Sequence, residues 1–579
     1  MLRRTGIFKK VYKDTNKIRI AFFCIFATLI HWMIDSFPLT LPALFARTVG
    51  KYSDHGAMAL VGEVPLTYKD ADLKIRSLIL MLGKLGLRPG DRAAIVSTNM
   101  PNWVISYYSI TFMGGIAVPI LPDFHPDEIR EIISHSGASI LFVSDNLRKK
   151  ISGLSLPESL IIIAMEDFSI PGNTDPAMRF SDEAAHPGDY SVKEEDIASI
   201  IYTSGTTGKS KGVMLTHKNL CFTALKSDRV QEITENDRFL SILPLSHTYE
   251  NTIGMILPMI KGAAVYYLGK APTPSILLPA LKEVRPTIML TVPLIIEKTF
   301  RNIIQPKFTG NILLHTLIRI PFTRKVLNRA AGKKLMETFG GELKFFGIGG
   351  AKLNRSVEKF LIEARFPYAI GYGLTETSPL LAGFSPQNYR LQSTGKAIEN
   401  IELKINRPDE KTGEGEIWAR GPNIMKGYYK EPELTAGILT GDGWLKTGDL
   451  GVFDKDGYLF IKGRLKNMIL LSGGENVYPE EIESIINNFR HVIDSLIIEK
   501  KGKLVALVHF NREEIAEHYS HKRQEFINFV EMTIEELRAE LQHYVNRRVN
   551  RFSQVHVVLV QPVPFEKTAT LKIKRYLYS

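Results

Sequence analysis

Strand-length apolar runs alternate with helix-length segments through most of this chain, and that alternation restricts it to folds built on largely parallel sheets. The runs RAAIVS, GGIAVPIL, ASILFVS, IASIIYT, GAAVYYL, PTIMLTVP and LKFFGIGG are short and almost continuously apolar, as strands covered on both faces must be. PALFARTVGKY reads as an amphipathic helix, and VGEVPLTYKDAD as a strand pair leading into another. A chain of 579 residues exceeds what one hydrophobic core organises, so several α/β layers and at least two domains are expected. After Leu450 the texture changes to closely spaced strands and turns, GVFDKDGYLFIKGRLKN, in which DKDG is a hairpin signal. A boundary is expected near Arg464 to Lys466. Beyond it, strands (DSLIIEKKGKLVALVHF, VHVVLV) and a charged helical stretch from about His521 to Asn550 make a small α+β unit.

Composition narrows the chemistry only a little. The two cysteines, Cys24 and Cys221, fit no metal-ligand spacing and supply no disulfide framework, which points to a reducing compartment. The net charge of +12 is concentrated at one end, where Arg3, Arg4, Lys9, Lys10, Lys13, Lys17 and Arg19 face a single Asp14, so nucleic acid is not an expected partner. The apolar run Ile20 to Ile34 follows at once. As a helix it would be about 22 Å long, short of the roughly 30 Å hydrocarbon core of a bilayer. Residues 1–36 therefore read as a basic, apolar extension that anchors the protein at a membrane surface, with a helix packed on the protein's own surface as the plain alternative.

IIYTSGTTGKSKGVMLTH, Ile200 to His217, begins as a buried strand and breaks into a loop dense in hydroxyls and glycines. Such a loop offers backbone N–H and side-chain O–H donors to phosphate oxygens, and Lys209 and Lys211 add positive charge. A P-loop needs four residues between its glycines, whereas Gly205 and Gly208 enclose two.

From about Phe37 onward the sequence resembles the adenylate-forming superfamily, which comprises acyl-CoA synthetases, luciferases and the adenylation domains of peptide synthetases. Further signatures follow in order: GIGGAKL (Gly347 to Leu353), GYGLTETSP (Gly371 to Pro379), GEIWARGPNIMKGYY (Gly415 to Tyr429), WLKTGDLG (Trp444 to Gly451), GRLKNMILLSGGENVYPEEIE (Gly463 to Glu483) and KTATLKIKR (Lys567 to Arg575). The resemblance implies an α/β fold. A large AMP-binding domain over 37–465, with layered α/β subdomains and a small β-barrel-like part, would precede a small mobile α+β lid domain over 466–579.

It also implies site residues. Thr203, Ser204, Gly205, Thr206, Thr207, Gly208 and Lys211 would hold the phosphates of ATP. Gly350, Ala351 and Tyr372 would line the adenine slot, with Gly371 and Gly373 also in the nucleotide site, Thr375 would touch phosphate, and Asp449 would accept the ribose hydroxyls, with Arg464 beside it. Glu376, with Thr203 as a second oxygen donor, would hold Mg²⁺, a hard cation that bridges phosphates. Lys572 would lie between the substrate carboxylate and the α-phosphate, and Lys466 resembles the hinge about which the lid swings. Ser472 to Glu475 would then approach the pantetheine tunnel. Two departures stand out. Leu571 replaces a glycine frequent before the catalytic lysine, as in the long-chain fatty acyl branch, and Leu470 stands where some relatives carry a lysine.

LPLSHTYENT, Leu243 to Thr252, resembles the fatty acyl branch's L-P-L-x-H motif, which places His247 near the carboxylate and the acyl tunnel. The expected activity is AMP-forming ligation of a fatty acid, long-chain in type, to coenzyme A, at the cytoplasmic face of a membrane. An acyl–acyl carrier protein ligase shares every nucleotide motif and stays open. A non-catalytic lipid-binding homologue is disfavoured by intact Lys572, Glu376 and Asp449.

Overall fold

The computed structural model describes residues 37–175, 179–181, 190–204, 210–309, 316–471, 476–519, 526–568 and 572–578. The extension 1–36, the phosphate-loop residues Gly205, Thr206, Thr207 and Gly208, and Ser472 to Glu475 lie outside the described residues.

Two sheets carry the large part of the molecule. One has seven strands in the order Gly427–Tyr428, Ser210–Thr216, Ile197–Ser204, Ile116–Pro119, Arg92–Val96, Ile140–Val143 and Ile161–Ala164. The other has nine, in which Tyr368–Tyr372, Phe345–Ile348, Ile288–Thr291, Arg238–Ser241, Ala264–Tyr267 and Gly56–Leu60 run parallel between short antiparallel edges. The apolar runs form these parallel strands for a simple reason. Successive side chains point to opposite faces, and both faces are covered. Ala93 and Ile95 join the core shared by the two sheets, whereas Ala94 and Val96 join the core on the far side.

Helix Pro101–Phe112 fills the space between the sheets, with Trp103 stacked on Tyr107 at 5.4 Å. On the outer face of the nine-stranded sheet, helices Pro321–Thr338 and Arg355–Ala364 pack together. A Cβ on Gly332 would lie 2.5 Å from the Ala364 carbonyl, so only glycine permits that approach.

The part expected to be barrel-like is built on a four-stranded antiparallel sheet, Glu402–Asn406, Gly415–Arg420, Leu445–Phe453 and Leu459–Arg464. Its last strand leads directly into the smaller C-terminal unit. There a three-stranded sheet, Val492–Lys500, Lys503–Phe510 and Val557–Val560, packs on helices Pro479–Ile486 and Phe526–Asn546. Its hairpin turns at Lys501 and Gly502, both with positive φ (52° and 73°), the geometry that matches strand twist. The two units touch through Lys352 and Glu481 at 3.4 Å and through Tyr478, which donates to Glu414 at 2.8 Å.

Among the described residues no helix is long and apolar enough to cross a membrane. Cys221 is buried and free.

Candidate active site

The hairpin Ile197–Ser204 and Ser210–Thr216 pairs Thr203 with Lys211. The Lys211 ammonium lies 5.4 Å from the Tyr428 ring centre. Thr216 then caps helix His217–Ser227 in a reciprocal box with Asn219. Asn219 also donates to the carbonyls of Pro422 and Ile424 at 2.7 and 2.9 Å, which ties the hairpin to a loop of the next subdomain.

That loop is bonded in turn to GYGLTETSP. Asn423 donates to the carbonyls of Thr377 and Leu380 at 3.0 and 2.9 Å, and the Met425 N–H donates to the Glu376 carbonyl at 2.9 Å. Gly373 is obligatory, since a Cβ there would lie 1.6 Å from the Pro379 carbonyl oxygen. The short turn Thr375–Thr377 thereby presents Glu376, whose Oε1 accepts from the Tyr428 hydroxyl at 2.7 Å.

Asp449 is buried at the centre. Its Oδ2 accepts from Tyr372 at 2.8 Å and its Oδ1 lies 2.7 Å from Arg464 Nε. The antiparallel register of their strands places Arg464 opposite Asp449. Burial pushes the Asp449 carboxyl above its ordinary value, against the opposing pull of Arg464, Tyr372 and Lys572.

Lys572 reaches this centre from the C-terminal unit on an arm in which Thr568 N–H donates to the Lys572 carbonyl at 2.8 Å. The arm's base is pinned by Lys567 to Asp494 at 2.7 Å. Desolvation, then the charge of Arg464, lowers the Lys572 pKa, while Asp449 and Glu376 oppose the change. The Lys466 pKa is lowered by desolvation, then by Arg464, Lys572 and Lys211. Both lysine side chains nevertheless meet solvent, so they line a cleft rather than a sealed interior, and water moderates these shifts. Lys211, Arg464, Lys466 and Lys572 thus surround two carboxylates and leave the cleft electropositive, suited to a polyphosphate.

His247 is half-buried beside Lys572. Burial and that lysine's charge push its pKa down to about 4, so the imidazole is neutral near pH 7. Its Nδ1 accepts from the Tyr249 N–H at 3.3 Å. Tyr249 lies on the glycines of GIGG: a Cβ on Gly347 would meet its hydroxyl at 2.8 Å, and one on Gly349 its ring at 3.1 Å. Beyond, Gly350 (φ 85°) and Ala351 are exposed at the cleft. Ile253 of the π-helical segment Glu250–Ile256, with Tyr249 just before it and Leu257 just after, lines a small apolar cavity of about 40 Å³ with Val230, Leu290 and Phe345.

The structure therefore brings together Tyr372, Glu376, Asp449, Arg464, Lys466, Lys572, Lys211 and His247. Thr203 and the backbone end of Ser204 lead into the loop whose remaining residues lie outside the described set. Sequence reasoning passed over Tyr428 and Tyr249, although both stand inside quoted motifs, IMKGYY and LPLSHTYENT. Their signal is positional: Tyr428 donates to Glu376, and the Tyr249 N–H to His247, across contacts that residue type alone does not mark.

Residues 45–429 match the family model described as AMP-binding enzyme, and residues 466–578 match its C-terminal domain. The chain belongs to the AMP-binding enzymes. A long-chain-fatty-acid–CoA ligase of Gallus gallus is 30% identical over 514 residues, 81% of this chain and 67% of the relative. Peroxisomal long chain acyl-CoA synthetase 7 of Arabidopsis thaliana is 30% identical over 486 residues, covering 77% and 69%. The fold of this AMP-binding enzyme is that of o-succinylbenzoate CoA synthetase from Bacillus subtilis, solved with its acyl-adenylate intermediate. The TM-score is 0.72 and the identity 24%, over 93% of this chain and 98% of that one.

Proposed function

We propose that this AMP-binding enzyme is an ATP-dependent fatty acid–CoA ligase acting on long-chain acids. One observation carries the reading. The Lys572 arm, the Asp449–Arg464 pair and neutral His247 meet in one electropositive cleft, next to an apolar cavity walled by Tyr249.

In the first half-reaction a carboxylate oxygen of the acid attacks the α-phosphorus of ATP and pyrophosphate leaves. Lys572 is suited to hold the carboxylate against the phosphate and to stabilise the charge of that displacement. Tyr372 and the Gly350–Ala351 backbone flank the adenine, Asp449 accepts from the ribose, and Lys211 with the Thr203 hairpin takes the phosphates. Glu376 fits a Mg²⁺ site of the usual kind, since this ion takes one or two protein carboxylates and completes its shell with phosphate and water. When bound, the ion neutralises phosphate charge. Neutral His247 adds no charge of its own beside the carbonyl end of the acid. In the second half-reaction a thiolate attacks the acyl carbonyl and AMP leaves. Lys572 must then withdraw, and movement about Lys466 would achieve this.

The cavity has room for only a few water molecules, so a long chain enters only as Tyr249, Ile253 and Leu257 shift. Residues 1–36 would hold the enzyme at the cytoplasmic face of a membrane, where such acids dissolve, and their deletion should lower its share in the membrane fraction.

The test is exchange of labelled pyrophosphate into ATP with acids of increasing chain length and an aryl acid for comparison, followed by product analysis with coenzyme A and acyl carrier protein together. Exchange rising with chain length and an acyl-CoA product are expected. Exchange only with the aryl acid, or acylation of the carrier protein alone, would replace this reading.

A further inference from the structure

We infer that the outer face of helix Pro321–Thr338 is a docking surface for an anionic lipid bilayer, separate from residues 1–36. The helix buries Asn328, Gly332 and Leu335 against its neighbours. On the opposite side Phe322, Lys325, Val326, Arg329 and Lys333 follow one another at three- and four-residue steps, which places them on one face. Ile320 precedes the helix. Phe322 is 77% exposed, Val326 51% and Ile320 50%, so three large apolar side chains stand together in solvent. Single exposed apolar residues are ordinary; a contiguous group rimmed by one sign of charge is not.

The charge pattern selects the partner. From Arg319 to Met336 the chain carries Arg319, Arg324, Lys325, Arg329, Lys333 and Lys334 and no acidic residue. Arg324 points inward, where it donates to both oxygens of Glu363 at 3.0 and 2.9 Å. The other five have no ion pair among the described residues, and Glu337 at the far end is the nearest acid along the helix. Apolar side chains at one end, unpaired cations along the rest and a protein-packed inner face are the properties of a helix lying in a membrane interface. The stripe from Phe322 to Lys333 runs about 17 Å along the helix, an extended row that suits a flat anionic surface better than a cleft-seeking peptide. Stable attachment takes two weak signals, and a second surface on the folded body would supply one whatever residues 1–36 contribute.

The experiment is co-sedimentation of the full-length protein with vesicles of phosphatidylcholine alone or mixed with phosphatidylglycerol. Binding to the mixed vesicles that weakens with salt is expected. Arg329→Glu with Lys333→Glu, and separately Phe322→Ser with Val326→Ser, should each lower partition by about tenfold. Unchanged melting temperature and pyrophosphate exchange would show that both proteins are folded. Four outcomes overturn the proposal: no vesicle binding by the parent, variants that bind like it, complete loss of binding on deleting 1–36 alone, or variants that lose only affinity for an acidic carrier protein.

Discussion

Tyr372 donates its hydroxyl to Asp449 at 2.8 Å on the side of the carboxylate opposite Arg464, so one buried anion is held from two directions by groups from different strands. Each carboxylate oxygen has a second lone pair, and under the proposed function those would take the ribose hydroxyls. Tyr372→Phe removes one holder and leaves the anion. A hydrogen bond to a charged group is worth about 1.5–3 kcal/mol, so the KM for ATP should rise by about tenfold or more. Asp449→Asn should fall further in pyrophosphate exchange, because the amide offers the ribose one acceptor oxygen in place of two. Equal, small effects of both substitutions would remove Asp449 from the nucleotide site.

Arg464 has a separate pH signature. Burial raises the Asp449 pKa and Arg464 is the first group opposing that rise. In Arg464→Met the carboxyl should climb further, and the protonated form cannot accept from two hydroxyls. The acidic limb of the kcat/KM profile for ATP should therefore move to higher pH than in the parent. An unmoved limb with reduced activity would assign Arg464 to contact with the substrate instead.

Much of this site was legible because its chemistry resides in side chains of fixed identity: TGD, LTET and TLKIKR each name a charge that the fold brings to one cleft. The strands were legible for a different reason, since burial on both faces writes a continuous apolar run. What escaped depends on distance in the chain. Tyr428 reaches Glu376 across 52 positions, and Tyr249 lies under Gly347, so the need for that tyrosine and that glycine appears only when both are placed. Strand order escaped too, because Gly56–Leu60 pairs with Ala264–Tyr267, a partner no local pattern names. The π-helical turn at Glu250–Ile256 also leaves no mark in the apolar pattern. The phosphate loop from Gly205 to Gly208 stays an expectation.

Lys572→Ala should separate the half-reactions. Lys572 is the cation that the C-terminal arm brings beside Asp449 and Glu376, and under the proposed mechanism only adenylation requires it there. Pyrophosphate exchange should fall by about a hundredfold or more, within the range for loss of a group that stabilises transition-state charge. Conversion of supplied acyl-adenylate to thioester should persist. Equal loss of both steps would show that the arm is needed for binding alone.

Glu480 links the segment after Lys466 to that arm. Asn467 donates to Glu480 at 2.6 Å, and Arg575, three residues past Lys572, lies 3.8 Å from Glu480 and is bonded to Glu483. Glu480→Gln keeps the shape and removes the charge. Exchange should drop several-fold with little change in thioester formation from supplied adenylate. A matched decline in both, with a lower melting temperature, would mean that the contact merely stabilises the C-terminal unit.

Glu250 offers a test through stability. It is buried on the π-helical segment, and its carboxyl sits where a Cβ on Gly254 would come within 2.7 Å. Burial pushes its pKa up to about 8 from an ordinary 4.5. Between those values the folded protein keeps a proton that the unfolded chain has released. The unfolded state binds fewer protons there, so stability falls as pH rises through the window and levels off above about 8. Glu250→Gln fills the same space and cannot ionise. Its melting temperature relative to the parent should be nearly unchanged below pH 4.5 and should rise steadily towards pH 8, by an amount reflecting up to a few kcal/mol. A difference that stays constant across that range would mean that Glu250 releases its proton at an ordinary pH and finds a partner in the folded protein.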